Sequence, residues 1–131
     1  MTNKILLIDD DKELSEELTE VLQDEGYEVS RAYNGRDGEK MAVTSDYDVV
    51  LLDLKLPDVS GSEVLNNLKS IKPGCRVIII TGNPVFENNI EEAVSRDEAK
   101  KENVYKYADR IIKKPFDIEQ LLSAVGELIN R

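Results

Sequence analysis

The sequence predicts an α/β fold, a parallel sheet with helices on both faces. Three observations carry this reading. Short apolar runs recur at Ile5–Ile8, Val49–Leu52 and Val77–Ile80. Amphipathic stretches with apolar residues three and four apart separate them. Runs that are apolar on both faces suit strands covered from both sides, as helical crossovers provide. Right-handed crossovers then close the chain as a doubly wound sheet, here of five strand–helix units.

The elements follow in order. Ile5–Ile8 is the first strand and runs into Asp9, Asp10 and Asp11. Leu14, Leu18, Val21 and Leu22 form the apolar stripe of the first helix, which Gly26 stops. Tyr27–Ala32 is a short strand, and Asn34-Gly35 is a turn before a weaker helix with Met41 and Ala42 on its apolar face. Val49–Leu52 is a strand ending at Asp53. Pro57 and Gly61 punctuate the next loop, and Ser60-Gly61-Ser62-Glu63 fits a capping box opening the helix of Val64, Leu65 and Leu68. Pro73-Gly74 turns the chain into Val77–Ile80, which ends at Thr81-Gly82. A polar helical region follows over about Val85–Asn103, with Phe86, Ile90, Ala93 and Val94 as its stripe. Ile111-Ile112 is the core of a last strand. Pro115 precedes a helix carrying Ile118, Leu121, Leu122, Val125, Leu128 and Ile129, which Asp117 and Gln120 are spaced to cap.

Composition narrows the chemistry. The 27 acidic against 17 basic residues give a formal charge of −10, a field that disfavours nucleic acid and anionic lipid. No histidine and one cysteine, Cys75, leave out a disulfide, the common zinc and haem ligand sets and a nucleophile–histidine pair. A metal would have to be a hard cation held by oxygen. The apolar runs are too short to span a bilayer and no signal peptide is evident, so cytoplasmic residence is expected, with no membrane partner. One domain over residues 1–131, without an effector domain, is the expected organisation.

Ligands of such sheets sit beyond the carboxyl ends of the strands. Asp9, Asp10, Asp53, Thr81, Lys113 and Lys114 directly follow the apolar runs and belong on that edge. A single aspartate there is ordinarily a helix cap, and Asp11 is read as one. Three carboxylates from two neighbouring strands repel unless a cation joins them, and Mg²⁺ suits carboxylates and water. A nucleotide cradle would need a glycine-rich turn after the first strand, where this chain has three aspartates. A metal-bridged phosphoryl group fits better, with the Thr81 hydroxyl and the Lys114 ammonium on its other oxygens and Asp53 as the nucleophile.

The stretches Ile5-Leu6-Leu7-Ile8-Asp9-Asp10-Asp11, Asp53-Leu54-Lys55-Leu56-Pro57 with Gly61, Ile80-Thr81-Gly82 and Lys114-Pro115-Phe116, in this order, resemble the response-regulator receiver domain of two-component signalling. Gly26-Tyr27-Glu28-Val29 and Ala32-Tyr33-Asn34-Gly35 add to the resemblance, which covers essentially the whole chain. It implies a flavodoxin-like sheet in the order 2-1-3-4-5. It further implies a phosphoacceptor switch, with Asp53 phosphorylated from a phospho-His donor and Mg²⁺ (or Mn²⁺) on Asp9, Asp10, Asp53 and the Lys55 backbone carbonyl. Thr81 would be the switch hydroxyl, and Lys114 the invariant lysine before a cis Pro115. The implied partners are a sensor histidine kinase or phosphotransfer protein, and a downstream protein on the face of the fourth helix, fifth strand and fifth helix. The chain would not be a turnover enzyme beyond its own phosphorylation and dephosphorylation.

Two departures stand out. Ile111 occupies the place of the usual aromatic or histidine three residues before the lysine. The segment between Thr81 and Lys114 is longer than usual by about ten residues, roughly three helical turns. The residues speak against two other functions. A receiver fold that binds without phosphorylation is disfavoured by the complete set of Asp9, Asp10, Asp53, Thr81 and Lys114. An aspartyl-phosphate phosphatase needs a carboxylate two residues after the nucleophile, where Lys55 stands. Lys113 is expected to face solvent, Tyr105 and Tyr107 to pack, Cys75 to be a core-edge thiol and Arg96–Glu102 to be a solvated helix face.

Overall fold

The computed structural model describes residues 2–82 and 107–130. Five parallel strands, β1 (Lys4–Ile8), β2 (Glu28–Ala32), β3 (Val49–Asp53), β4 (Arg76–Thr81) and β5 (Arg110–Lys113), form one sheet in the order β2-β1-β3-β4-β5. Helices α1 (Lys12–Asp24), α2 (Gly35–Thr44), α3 (Gly61–Ile71) and a final helix (Ile118–Ile129) cover it. The helical expectation for Val85–Asn103, its apolar stripe, Tyr105 and the Arg96–Glu102 face lie outside the described residues.

Strand alternation divides the core into two layers. Ile5, Leu7, Val49, Leu51, Ile78 and Ile80 point to one face and pack against Leu18 and Leu22 of α1 and Leu121, Val125 and Leu128 of the final helix. Leu6, Ile8, Val50, Leu52, Val77 and Ile79 point to the other, against Ala42 of α2 and Val64, Leu65 and Leu68 of α3. Every residue of β3 is buried, as befits the middle strand of a doubly covered sheet. Truncating Leu51 to Ala would cost about 2–5 kcal/mol.

Local chemistry sets the element ends. Asp11 caps α1 by accepting the Leu14 amide at 3.0 Å, Asn34 caps α2 through the Asp37 amide at 2.8 Å, and Ser60 caps α3 through the Glu63 amide at 3.2 Å. Such caps contribute about 1 kcal/mol each. Gly26, at φ +94°, takes the left-handed conformation that ends α1 and turns the chain into β2. The final helix departs from expectation: Asp117 stands at its N-cap but its side chain makes no capping hydrogen bond. Its backbone carbonyl instead accepts the Gln120 and Leu121 amides. No helix among the described residues is long and apolar enough to cross a membrane.

Cys75 sits in the core beside Val77, and burial pushes its thiol pKa up, so it is a packed and unreactive side chain. Lys113 is exposed, and Tyr107 packs against the α2–α3 layer.

Candidate functional site at the carboxyl edge of the sheet

The parallel register brings the strand ends level. Ile8 pairs with Leu52, Asp53 with Ile80 and Thr81 with Lys113, so the residues after β1, β3, β4 and β5 share one edge. Asp9 is almost fully buried there. Its Oδ1 accepts the Asp11 amide at 2.9 Å, which closes the three-aspartate turn, and its Oδ2 accepts from Lys114 Nζ at 3.2 Å. Asp53, also buried, accepts the Lys55 amide on Oδ1 at 3.1 Å and faces Lys114 Nζ with Oδ2 at 3.5 Å. Asp10 is exposed, yet one oxygen from each of Asp9, Asp10 and Asp53 lies within 4.8 Å of the others.

The electrostatics follow from this crowding. Burial raises the Asp53 pKa to about 6; the Lys55 amide pulls against that, the Asp9 charge adds to it and Lys114 opposes it. Lys114 loses hydration too, but Asp53 and Asp9 outweigh that loss and its pKa is raised. One ammonium therefore balances two buried carboxylates.

A cleft of about 540 Å³ opens over the cluster, lined by Asp10, Asp53, Lys55, Leu56, Pro57, Gly82 and Lys114. The Lys114–Pro115 peptide is cis, and the Lys114 amide donates to the Thr81 carbonyl at 2.7 Å. Thr81 is buried at the end of β4, and no group among the described residues hydrogen-bonds its hydroxyl. Like the equally buried Asp9, it does not line the cleft.

The donor set fits a hard divalent cation. Three oxygen donors converge from two strand ends, with no soft ligand among them and a water-accessible side at Asp10. The Thr81 hydroxyl and the Lys114 ammonium fit the oxygens of a phosphoryl group.

Several contributors were not legible as site residues. A Cβ at Gly61 would fall 2.5 Å from Leu54 Cα and 2.6 Å from the Asp53 carbonyl oxygen, so only glycine lets α3 start this close to the end of β3. A Cβ at Gly82 would lie 3.1 Å from Lys114 Cδ, so this glycine leaves room for the lysine stem. Asp58 reaches back to the start of α2. Loop punctuation was visible at Pro57 and Gly61, but the contacts themselves join residues far apart in sequence.

Comparison with known proteins agrees with this architecture. The family model of the response regulator receiver domain matches residues 5–126. The chain is 32% identical over 128 residues to the transcriptional regulatory protein CusR of Escherichia coli K12, which covers 98% of this chain and 52% of CusR. It is 33% identical over 128 residues to the probable transcriptional regulatory protein SilR of Salmonella typhimurium, over 98% of this chain and 51% of SilR. It thus spans about half the length of these curated relatives. A CheY-like response regulator receiver domain protein from Methanospirillum hungatei JF-1 matches with a TM-score of 0.84 at 29% identity, over 99% of this chain and 95% of that one. TrrA from Thermotoga maritima, solved in complex with Mg²⁺-BeF, matches with a TM-score of 0.81 at 29% identity, over 97% and 99%. With the sheet order, the acidic edge and a family match over nearly its whole length in agreement, the chain belongs to the response regulator receiver domain family.

Proposed function

We propose that the protein is a phosphoacceptor switch in which Asp53 takes a phosphoryl group from a phospho-His donor in a Mg²⁺-dependent reaction. The observation that carries this reading is the meeting of Asp9, Asp10 and Asp53 within 4.8 Å, bridged on one side by Lys114. Asp10 and Asp53, with Asp9 behind them and the Lys55 carbonyl, would hold the cation. When bound, Mg²⁺ (or Mn²⁺) supplies charge neutralisation between the carboxylates and the incoming phosphoryl oxygens. An Asp53 oxygen forms the new O–P bond as the donor's N–P bond breaks, and the electron pair leaves with the imidazole. The Lys55 amide orients the carboxylate, Lys114 carries charge to the phosphoryl oxygens, and the Thr81 hydroxyl donates to one of them. Without a general acid two residues after Asp53, the chain is a regulator and not a turnover phosphatase.

The donor class is a sensor histidine kinase or phosphotransfer protein. Output goes to a downstream protein on the face that includes β5 and the final helix, where Ile111 and Ile118 are exposed. Direct binding of nucleic acid or membrane does not fit the acidic charge, and the reading places the protein in the cytoplasm. Intact-mass analysis after incubation with Mg²⁺ and a small phosphodonor tests it. Wild type gains one phosphoryl group and Asp53→Asn gains none; equal labelling of the two would refute the assignment.

A further inference from the structure

The loop that leaves Asp53 is tied at two places. At its base the Gly61 amide donates to the Leu54 carbonyl at 2.9 Å. At its far side the Asp58 carboxylate accepts the amides of Gly35 at 2.7 Å and Arg36 at 3.0 Å, the first turn of α2, together with the Val59 amide at 2.9 Å. Lys55, Leu56 and Pro57 lie between these ties and line the cleft. Among the described residues, their one backbone hydrogen bond is from the Lys55 amide to Asp53. Gly35 admits the loop this closely, since a Cβ there would fall 2.2 Å from Val59 Cγ2. Two donated amides and the positive end of α2 match a carboxylate in shape and sign. The Arg36 side chain adds little, being 4.0 Å away and 80% exposed.

We propose that Asp58 is a positioning residue for the cation site, clamping the loop onto α2 so that Lys55 is held against Asp53. This rests on the metal-dependent reading above. It implies that an interaction remote from the carboxylate cluster sets how well that cluster binds its cation, in the way outer hydrogen bonds orient metal ligands.

The test combines Mg²⁺ titration with amide hydrogen exchange on the metal-free protein, for wild type, Asp58→Ala, Asp58→Asn and Arg36→Ala. Asp58→Ala is expected to weaken Mg²⁺ binding by about tenfold. It should also speed exchange at Gly35, Arg36, Lys55 and Val59 while β3 stays protected. Asp58→Asn, which keeps one accepting oxygen, should fall between, and Arg36→Ala should behave as wild type. Wild-type Mg²⁺ affinity in Asp58→Ala would overturn the proposal, as would weakening that comes with uniform loss of protection through β3. A wild type that binds no Mg²⁺ would overturn the metal-dependent reading and this proposal with it.

Discussion

Lys114 and Asp9, 105 positions apart, meet at 3.2 Å, and the same ammonium lies 3.5 Å from Asp53. The lysine is three-quarters buried, so its charge is poorly screened, and without it two buried carboxylates would face each other. Lys114→Ala is therefore expected to lower the stability of the metal-free protein by about 1–3 kcal/mol and to retain the fold. It should also abolish the change in amide spectrum that follows phosphorylation of wild type. Thermal melts and amide spectra check both parts; a normal phosphorylation-dependent shift in the variant would show that Lys114 has another role.

Mg²⁺ should stabilise the native state by mass action. At about a hundred times its dissociation constant, a ligand that binds only the folded form adds about 2.7 kcal/mol. Asp10→Asn removes an exposed oxygen donor of the cluster and one of three like charges, so the variant should lose this response while its metal-free midpoint stays level or rises. Melts with and without millimolar Mg²⁺ decide it, and a wild-type midpoint indifferent to the ion would leave the aspartates as turn and cap residues only.

The raised Asp53 pKa has a definite sign. The folded carboxyl titrates at about 6 and the unfolded one near 3.8, so between these values the native state binds more protons. Stability contributed by this group therefore falls as pH rises through that window and is regained on acidification. Metal-free protein should become more stable between about pH 7 and about pH 5 from this group. Asp53→Asn, which has no carboxyl to titrate there, should lack that gain. Denaturant titrations at several pH values measure the difference between the two proteins.

Gly61→Ala should damage the site through the backbone. The added methyl would meet Leu54 Cα and the Asp53 carbonyl, neither of which is a flexible side-chain tip. A loss of about 1–3 kcal/mol is expected, with slower phosphorylation of the protein that remains folded. An alanine variant with wild-type stability and rate would show that the loop yields without cost.

The parts of this molecule legible in its sequence are those written in one residue run. Val49–Leu52 reads as a central strand because both of its faces are covered, and the aspartate that ends it is placed by the same run. β5 was legible only as Ile111-Ile112 because its end residues, Arg110 and Lys113, are polar, and a sheet-edge strand needs no continuous apolar run. The cap expected of the Asp117 side chain failed because spacing specifies a position and not a rotamer. The Asp58 clamp and the fit at Gly61 were not legible because each depends on a contact made only when the loop folds back onto α2 or β3. The sequence placed Asp9 in the acidic pocket, but its pairing with Lys114 needed the closed sheet.

Phosphorylation of Asp53 is predicted to require a divalent cation. The most direct measurement is the rate of phosphorylation by a small phosphodonor, followed by intact mass, with peptide mapping of the product, in Mg²⁺ and in chelator. One phosphoryl group on Asp53 in Mg²⁺, and essentially none in chelator, is the expected result. Labelling undiminished by chelator, or mapped to a residue other than Asp53, would contradict it.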